Sequence, residues 1–154
     1  MPSAQVELTV KHPPASYRSE GDYYSYLVES LVFALLNDRF SETARSADPP
    51  FIYAGGSATD FLRTMKLESY SAAADDGRVA EAAEAMAAEI RRVKDQGFTR
   101  QELDRKKADY LRFIENAYRE QNNLNSGDLA RELADYHLKD IFMPGIEAEY
   151  NLFN

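Results

Sequence analysis

Apolar and polar positions change their period along this chain, and each change marks an element. Val6-Glu7-Leu8-Thr9-Val10-Lys11-His12 alternates strictly, which predicts a half-buried strand with Val6, Leu8 and Val10 inward. Pro13-Pro14 ends it, and a polar loop follows in which Ser19 or Asp22 can cap the next helix. From Asp22 to about Arg45 the period becomes helical. Tyr24, Leu27, Val28, Leu31, Val32, Leu35, Leu36 and Phe40 recur three and four residues apart and predict one wide apolar face. Such a face has to leave water, so this is read as the central buried helix. Arg39, Glu42 and Arg45 lie towards its polar end, and Asp48-Pro49-Pro50 stops it.

Beyond that break, Phe51-Ile52-Tyr53-Ala54 is a short apolar run followed by Gly55-Gly56, a pair that marks a bulge, a turn or close approach of another backbone. Met65 to Ala74 reads as its partner strand, closed by Asp75-Asp76-Gly77. The two runs predict an antiparallel hairpin joined by a loop over Ser57 to Thr64. From Gly77 onward the period is helical again. Val79, Ala82, Ala83, Met86, Ile90 and Val93 form an alanine-rich stripe ending at Gly97, small enough to pack closely on a sheet.

Thr99 and Glu102 have the spacing of a capping box, and Phe98 and Leu103 that of a hydrophobic staple, so a new helix is predicted from Arg100. Leu103, Leu111, Ile114, Ala117 and Tyr118 carry its apolar face to about Glu120. After the polar Gln121 to Asn125, a last helix capped by Asn125 or Ser126 is expected, with Leu129, Ala130, Leu133, Ala134 and His137 or Leu138 inward. Pro144-Gly145 is read as closing it. A hairpin with segregated helices predicts an α+β fold, an antiparallel or mixed sheet with helices on one face. No internal repeat is visible, and the 154 residues suit a single domain.

Composition narrows the possible partners. A net charge of −8 argues against nucleic acid and anionic membrane surfaces, which require clustered Lys and Arg. Arg91-Arg92-Lys94 and Arg105-Lys106-Lys107 sit among acids and read as solvated helix faces. Cysteine is absent, which removes disulfides and thiolate metal sites and fits a periplasmic or a cytoplasmic home equally. The longest apolar run, Leu31 to Leu36, is too short to span a bilayer. Both chain ends are abrupt and read as cuts in a longer polypeptide.

The residues offer little chemistry of their own. His12 and His137 are the only histidines, whereas a zinc site needs three or four converging ligands. Asp140 shares a face with His137, but Glu132 points elsewhere. Gly55-Gly56-Ser57-Ala58 lacks the Gly-x-Ser-x-Gly of a nucleophile turn and has neither the lysine nor the helix start of a phosphate loop. Asp75-Asp76 reads as turn chemistry. The ten tyrosines, Tyr17, Tyr23, Tyr24, Tyr26, Tyr53, Tyr70, Tyr110, Tyr118, Tyr136 and Tyr150, suit core edges better than a binding surface. No catalytic residue, metal ligand or cofactor is assigned to this chain, and its substrate-binding residues stay open.

An ordered set of short motifs resembles the pitrilysin/insulinase family of zinc peptidases. These are Asp22-Tyr23-Tyr24-x-x-Leu27, Leu35-Leu36-Asn37-Asp38-Arg39-Phe40-Ser41-Glu42, Asp48-Pro49-Pro50-Phe51-x-x-Ala54, Gly97-Phe98-Thr99-x-x-Glu102-Leu103 and Pro144-Gly145-Ile146-Glu147-x-Glu149-Tyr150. The part resembled is the second, non-catalytic domain of a family half. The family's zinc ligands lie on an inverted His-x-x-Glu-His helix and a downstream glutamate in the preceding domain, and none of them is present here. The resemblance therefore implies an inactive fragment that helps enclose peptide substrate, with neighbouring domains of the same polypeptide as partners and zinc held elsewhere in the parent. It favours a periplasmic setting, with a cytoplasmic one as the alternative. The competing reading is a catalytically inactive structural or interaction domain that uses a tyrosine-rich surface.

Overall fold

The alternating segment at the start forms β1 (Ser3–His12), and the long helical stretch forms α1 (Glu20–Ala44). They come from a computed structural model that describes residues 3–62, 64–121, 127, 130, 133–134, 136–137, 142 and 144–153. The remaining elements are β2 (Tyr53–Leu62), β3 (Met65–Asp75), α2 (Val79–Gln96), α3 (Arg100–Glu120) and α4 (Gly145–Phe153). Two compact units emerge from the contacts. One comprises Met1–Ala15 and Glu29–Arg100, the other Ser16–Val28 and Gln101–Asn154.

The first unit contains a three-stranded antiparallel sheet in the order β1-β3-β2. Burial along β3 alternates, with Tyr70, Ala72 and Ala74 buried and Ser69, Ser71 and Ala73 half-buried. The buried set faces Leu36 and Phe40 of α1, Phe51, and Ala82 and Met86 of α2. Alanines at the contact let the helix lie close to the sheet, as the sequence stripe predicts. Phe40 is 0% exposed and meets Phe51 edge to face at 6.1 Å between centroids. Withdrawing a side chain of that size from water contributes roughly 1.5–3 kcal/mol. The fold is α+β with helices on one face of the sheet, as expected.

Several details differ from the sequence reading. The glycine pair does not end β2, which runs straight through Gly55 and Gly56 to Leu62, so the segment expected as a loop is mostly strand. Val6 packs on the core, but Leu8 and Val10 are exposed. They share its face of an edge strand, opposite Tyr70 and Glu68, beyond the row where the alanine core ends. On α1, Leu27, Leu35, Leu36 and Phe40 are buried, whereas Tyr24, Val28 and Val32 are 60%, 43% and 38% exposed. Those three are spaced four apart, in a row beside the buried strip, because the helix is apolar around more of its circumference than the core covers.

Gly97 ends α2 at φ 69°, its N–H bonded to Val93 O at 2.8 Å, and α3 starts at Arg100 as predicted. In the second unit, Ile114 is the buried residue of α3. Ser19 and Asp22 both act at the start of α1. Asp22 N–H donates to Ser19 Oγ at 3.2 Å, while the Asp22 carboxylate accepts from Ser19 N at 3.1 Å, Arg18 N at 2.9 Å and Ser16 Oγ at 2.8 Å. These bonds, led by that from Ser16, hold the Asp22 carboxyl below its usual range.

Helix α4 is absent from the sequence reading, which took Pro144-Gly145 as a stop. Gly145 adopts φ 73° and the chain turns there into a new helix. Gly127, Ala130, Leu133, Ala134, Tyr136 and His137 have helical backbone, but each is exposed, against the inward placement expected for Ala130, Leu133, Ala134 and His137. Leu129, Leu138, Asn125, Ser126, Glu132 and Asp140 lie outside the described residues.

Candidate functional surface

The helices leave the opposite face of the sheet uncovered within its unit. Strand alternation puts Gln5, Glu7, Thr9 and Lys11 of β1, Met65, Leu67, Ser69, Ser71 and Ala73 of β3, and Tyr53, Gly55, Ser57 and Thr59 of β2 on that side. Its centre is small and hydroxylated. Thr9 Oγ1 and Ser69 Oγ lie 3.1 Å apart across the β1–β3 pair, and Ser57 stands opposite Ser69 on the other flank. The Tyr53 ring, 59% exposed, lies over Gly55, where an added Cβ would meet its phenol group. Serines and threonines here offer donors and acceptors without a fixed charge, suited to the main chain of an extended segment.

The sheet also has two edge strands, and they differ. Asn37 of α1 treats β2 as a strand would: Gly56 N–H donates to Asn37 Oδ1 at 2.8 Å, and Asn37 Nδ2 donates to Gly56 O at 3.0 Å. Gly56 is packed so closely that an added Cβ would lie 2.8 Å from Tyr70 Cδ1 and 3.3 Å from Phe33 Cδ1. None of the meanings offered for the glycine pair is realised: β2 runs through it, the irregularity of the strand falls at Asp60/Leu62, and what comes close to Gly56 is side chains and not another backbone.

Charged groups gather on the helix side. His12 Nε2 lies 2.9 Å from Glu68 Oε2, Tyr70 OH donates to Glu68, and Lys66 pairs with Glu29. Burial, reinforced by the bond to Glu68, pushes the Tyr70 phenol well above its ordinary range. Deeper in the unit, Arg39 Nη1 bonds Glu89 Oε1 at 3.1 Å and Nη2 bonds Gly97 O at 3.2 Å, with its guanidinium 4.8 Å from the centroid of Phe98.

Among the described residues, His12 is not placed as one of a set of zinc ligands. His12 has one carboxylate neighbour and stands opposite the cation of Lys66. Among the described residues, no group of three or more His, Asp or Glu side chains gathers where a metal ion can sit. Ser57 lies on the open face and His12 on the helix face, so they form no nucleophile–base pair. Asp75 ends β3 and Asp76 occupies the turn, as their sequence context indicates.

The tyrosines divide. Tyr70 is buried, whereas Tyr24, Tyr26, Tyr53 and Tyr136 are exposed, against the core-edge reading. In the second unit they build an aromatic cluster. Tyr17 meets Tyr26 at 5.9 Å, Tyr23 meets Tyr26 and Phe142 at 6.3 Å, and Tyr118 stacks on Tyr150 at 5.5 Å. Tyr23 OH donates to Glu149 of α4; burial first, then that bond, pushes its ionisation far up. Asn37, Lys66 and Arg39 carry contacts that sequence reasoning passed over. A lone carboxamide directly after Leu35-Leu36 was the available signal for Asn37.

No protein-family model matches the chain. A protein of Arabidopsis thaliana described as zinc protease PQQL-like is 27% identical over 147 residues, a match covering 96% of this chain and 12% of that protein. The chain thus spans about an eighth of that relative's length. The periplasmic protease PqqL of Escherichia coli superposes with a TM-score of 0.87 at 21% identity, over 99% of this chain and 17% of that one. The first half of the same protease gives 0.88 at 21% identity, over 99% of this chain and 33% of that one. A predicted insulinase family protease of Yersinia pestis gives 0.79 at 9% identity, over 96% of this chain and 32% of that one. No described helix is long and apolar enough to cross a membrane.

Proposed function

From the pitrilysin/insulinase-like fold of this chain, we infer that it is a non-catalytic domain of a zinc-dependent metalloendopeptidase and forms part of the chamber that encloses the peptide. The observation that carries this is the uncovered sheet face, with hydroxyls at its centre and Tyr53 and Leu67 around them. Such a surface can hold an extended chain through main-chain contacts without selecting one side chain. Its partners are neighbouring domains of the same polypeptide, since each relative is several times longer than the part matched. Zinc then belongs to the preceding domain of the parent. A periplasmic home is supported by the likeness to PqqL of E. coli, a periplasmic protease.

Substituting Ser71→Lys or Ser57→Lys in the parent enzyme tests this reading. The expected result is a raised KM for peptide cleavage, with zinc content and thermal midpoint unchanged. Peptide hydrolysis by the isolated chain, or a KM indifferent to both lysines, defeats it. The alternative, an inactive interaction domain, is favoured by the exposed Tyr24, Tyr26, Tyr53 and Tyr136. A parent reading frame with no His-x-x-Glu-His segment upstream would decide for it.

A further inference from the structure

The outer edge of β1 is open and regular where that of β2 is not. On β2, Asn37 holds both main-chain groups of Gly56, and the register slips between Asp60 and Leu62. Along β1 the pairing with β3 runs from Ser3 to His12 without a shift, and Glu7 to Pro14 are exposed. The direction of its outer groups follows from β3. In an antiparallel ladder the N–H and C=O of one residue leave the strand on the same side, and successive residues alternate sides. Ala73 O accepts from Ile52 N–H at 2.7 Å, so Ala73 and Ser71 face β2, while Ala72, Tyr70 and Glu68 face β1. Their partners Val6, Leu8 and Val10 are occupied by those bonds. Gln5, Glu7, Thr9 and Lys11 therefore turn their main-chain groups outward, where no described strand lies.

We propose that this edge pairs antiparallel with β1 of a second copy of the chain, about a two-fold axis through Thr9. Outward groups can bond only outward groups, which leaves few symmetric registers, and charge selects among them. Centred on Thr9, Glu7 of each copy stands opposite Lys11 of the other, and Leu8 opposite Val10. Centring on Glu7 brings two carboxylates together, and centring on Lys11 two ammonium groups. Centring on Leu8 or Val10 leaves both charges opposite neutral residues. Unlike charges directly opposite stabilise a strand pair and like charges destabilise it. The favoured register also sets the exposed Leu8 and Val10 of both copies against each other, which removes four apolar side chains from water. On the open face, the line Ser57, Ser69, Thr9 of one sheet continues into Thr9, Ser69 and Ser57 of the other. A lysine on an edge strand ordinarily discourages pairing. Here Glu7 cancels that protection against one partner, an identical strand. The pairing does not rest on the chamber reading, since it uses the edge of the sheet and not its face.

Sedimentation velocity of the 154-residue chain over a concentration series, with amide exchange read by NMR, tests this. The expected result is a reversible dimer in which the amides of Glu7, Thr9 and Lys11 become protected as concentration rises. Those of Val6, Leu8 and Val10, held by β3, should be protected throughout. Lys11→Glu and Glu7→Lys each place like charges opposite at both ends of the register, so each alone should dimerise on the order of ten-fold more weakly. Mixed in equal amounts, the two variants should regain the wild-type strength, because every charged pair is again unlike. Circular dichroism confirms that each is folded. A monomer at every concentration overturns the pairing. So does a dimer whose Glu7, Thr9 and Lys11 amides exchange as in the monomer, or a mixture no tighter than either variant alone. None of these outcomes changes if the chamber reading fails, because neither substrate nor cleavage is measured.

Discussion

Arg39 and Glu89, fifty positions apart, meet at 3.1 Å in a site where the arginine is only 6% exposed. The same guanidinium binds Gly97 O and lies over Phe98, so one side chain of α1 ties down both the body of α2 and its end. Removing it leaves the Glu89 carboxylate short of its buried partner and a carbonyl without its donor. Arg39→Ala is therefore expected to lower stability by about 3–5 kcal/mol, read by urea unfolding. Glu89→Ala should cost less than that. A loss below about 1 kcal/mol for Arg39→Ala would show the pair to be ordinary surface charge.

The two glycines of β2 should respond differently to the same change. At Gly56 an added methyl meets the ring of Tyr70, itself buried, and then Phe33, so Gly56→Ala is expected to cost about 1–3 kcal/mol. At Gly55 it meets only the far end of Tyr53, which is exposed and can swing away, so Gly55→Ala should lie within about 0.5 kcal/mol of wild type. Thermal melts of both variants check the contrast, and equal costs would contradict it.

Much of this was legible beforehand, and the failures share a cause. The Asp22–Arg45 stripe, the alanine stripe of α2, the start at Arg100, the β2–β3 pairing and the family resemblance all rest on local periodicity or short motifs. What sequence could not supply was coverage. Tyr24, Val28 and Val32 have the same spacing as their buried neighbours, and spacing alone does not decide which apolar row of the helix is inside. Pro144-Gly145 ends or begins a helix equally well by local rules. The open sheet face is a matter of which side the helices take, which alternation alone does not fix.

Coverage yields a further expectation on α1. Phe40 is fully enclosed, so Phe40→Ala should cost about 3–5 kcal/mol. Tyr24→Ala on the exposed row should stay within about 0.5 kcal/mol of wild type. Urea midpoints of the two variants measure this directly. A large loss at Tyr24 would mean that the exposed row is buried in solution.

Alkali should unfold the protein through its phenols. Tyr23, Tyr70 and Tyr110 are all raised, chiefly by burial, with Glu149 adding to Tyr23 and Tyr110 and Glu68 to Tyr70. In the unfolded chain they ionise near pH 10. Between that pH and their folded values the unfolded state binds fewer protons, so stability falls as pH rises. Below pH 10 these groups contribute no slope. Absorbance at 295 nm should show a late ionisation phase that coincides with loss of circular dichroism. Complete ionisation of all tyrosines with the fold intact would contradict it.

Placing β3 between β1 and β2 has a consequence for the order of assembly. The β2–β3 hairpin closes across a very short turn, while His12 and Glu68, bonded in the finished sheet, are 56 positions apart. On the ribosome, β1 emerges long before its partner exists, and the entropy of closing so large a loop makes it the last strand to dock. Pulse-labelled hydrogen exchange during refolding should therefore protect Ser71 and Ser57 amides, on the β2–β3 side, before those of Val6 and Leu8. Until then the newborn chain carries an unpaired β1, the segment that a chaperone would have most reason to hold.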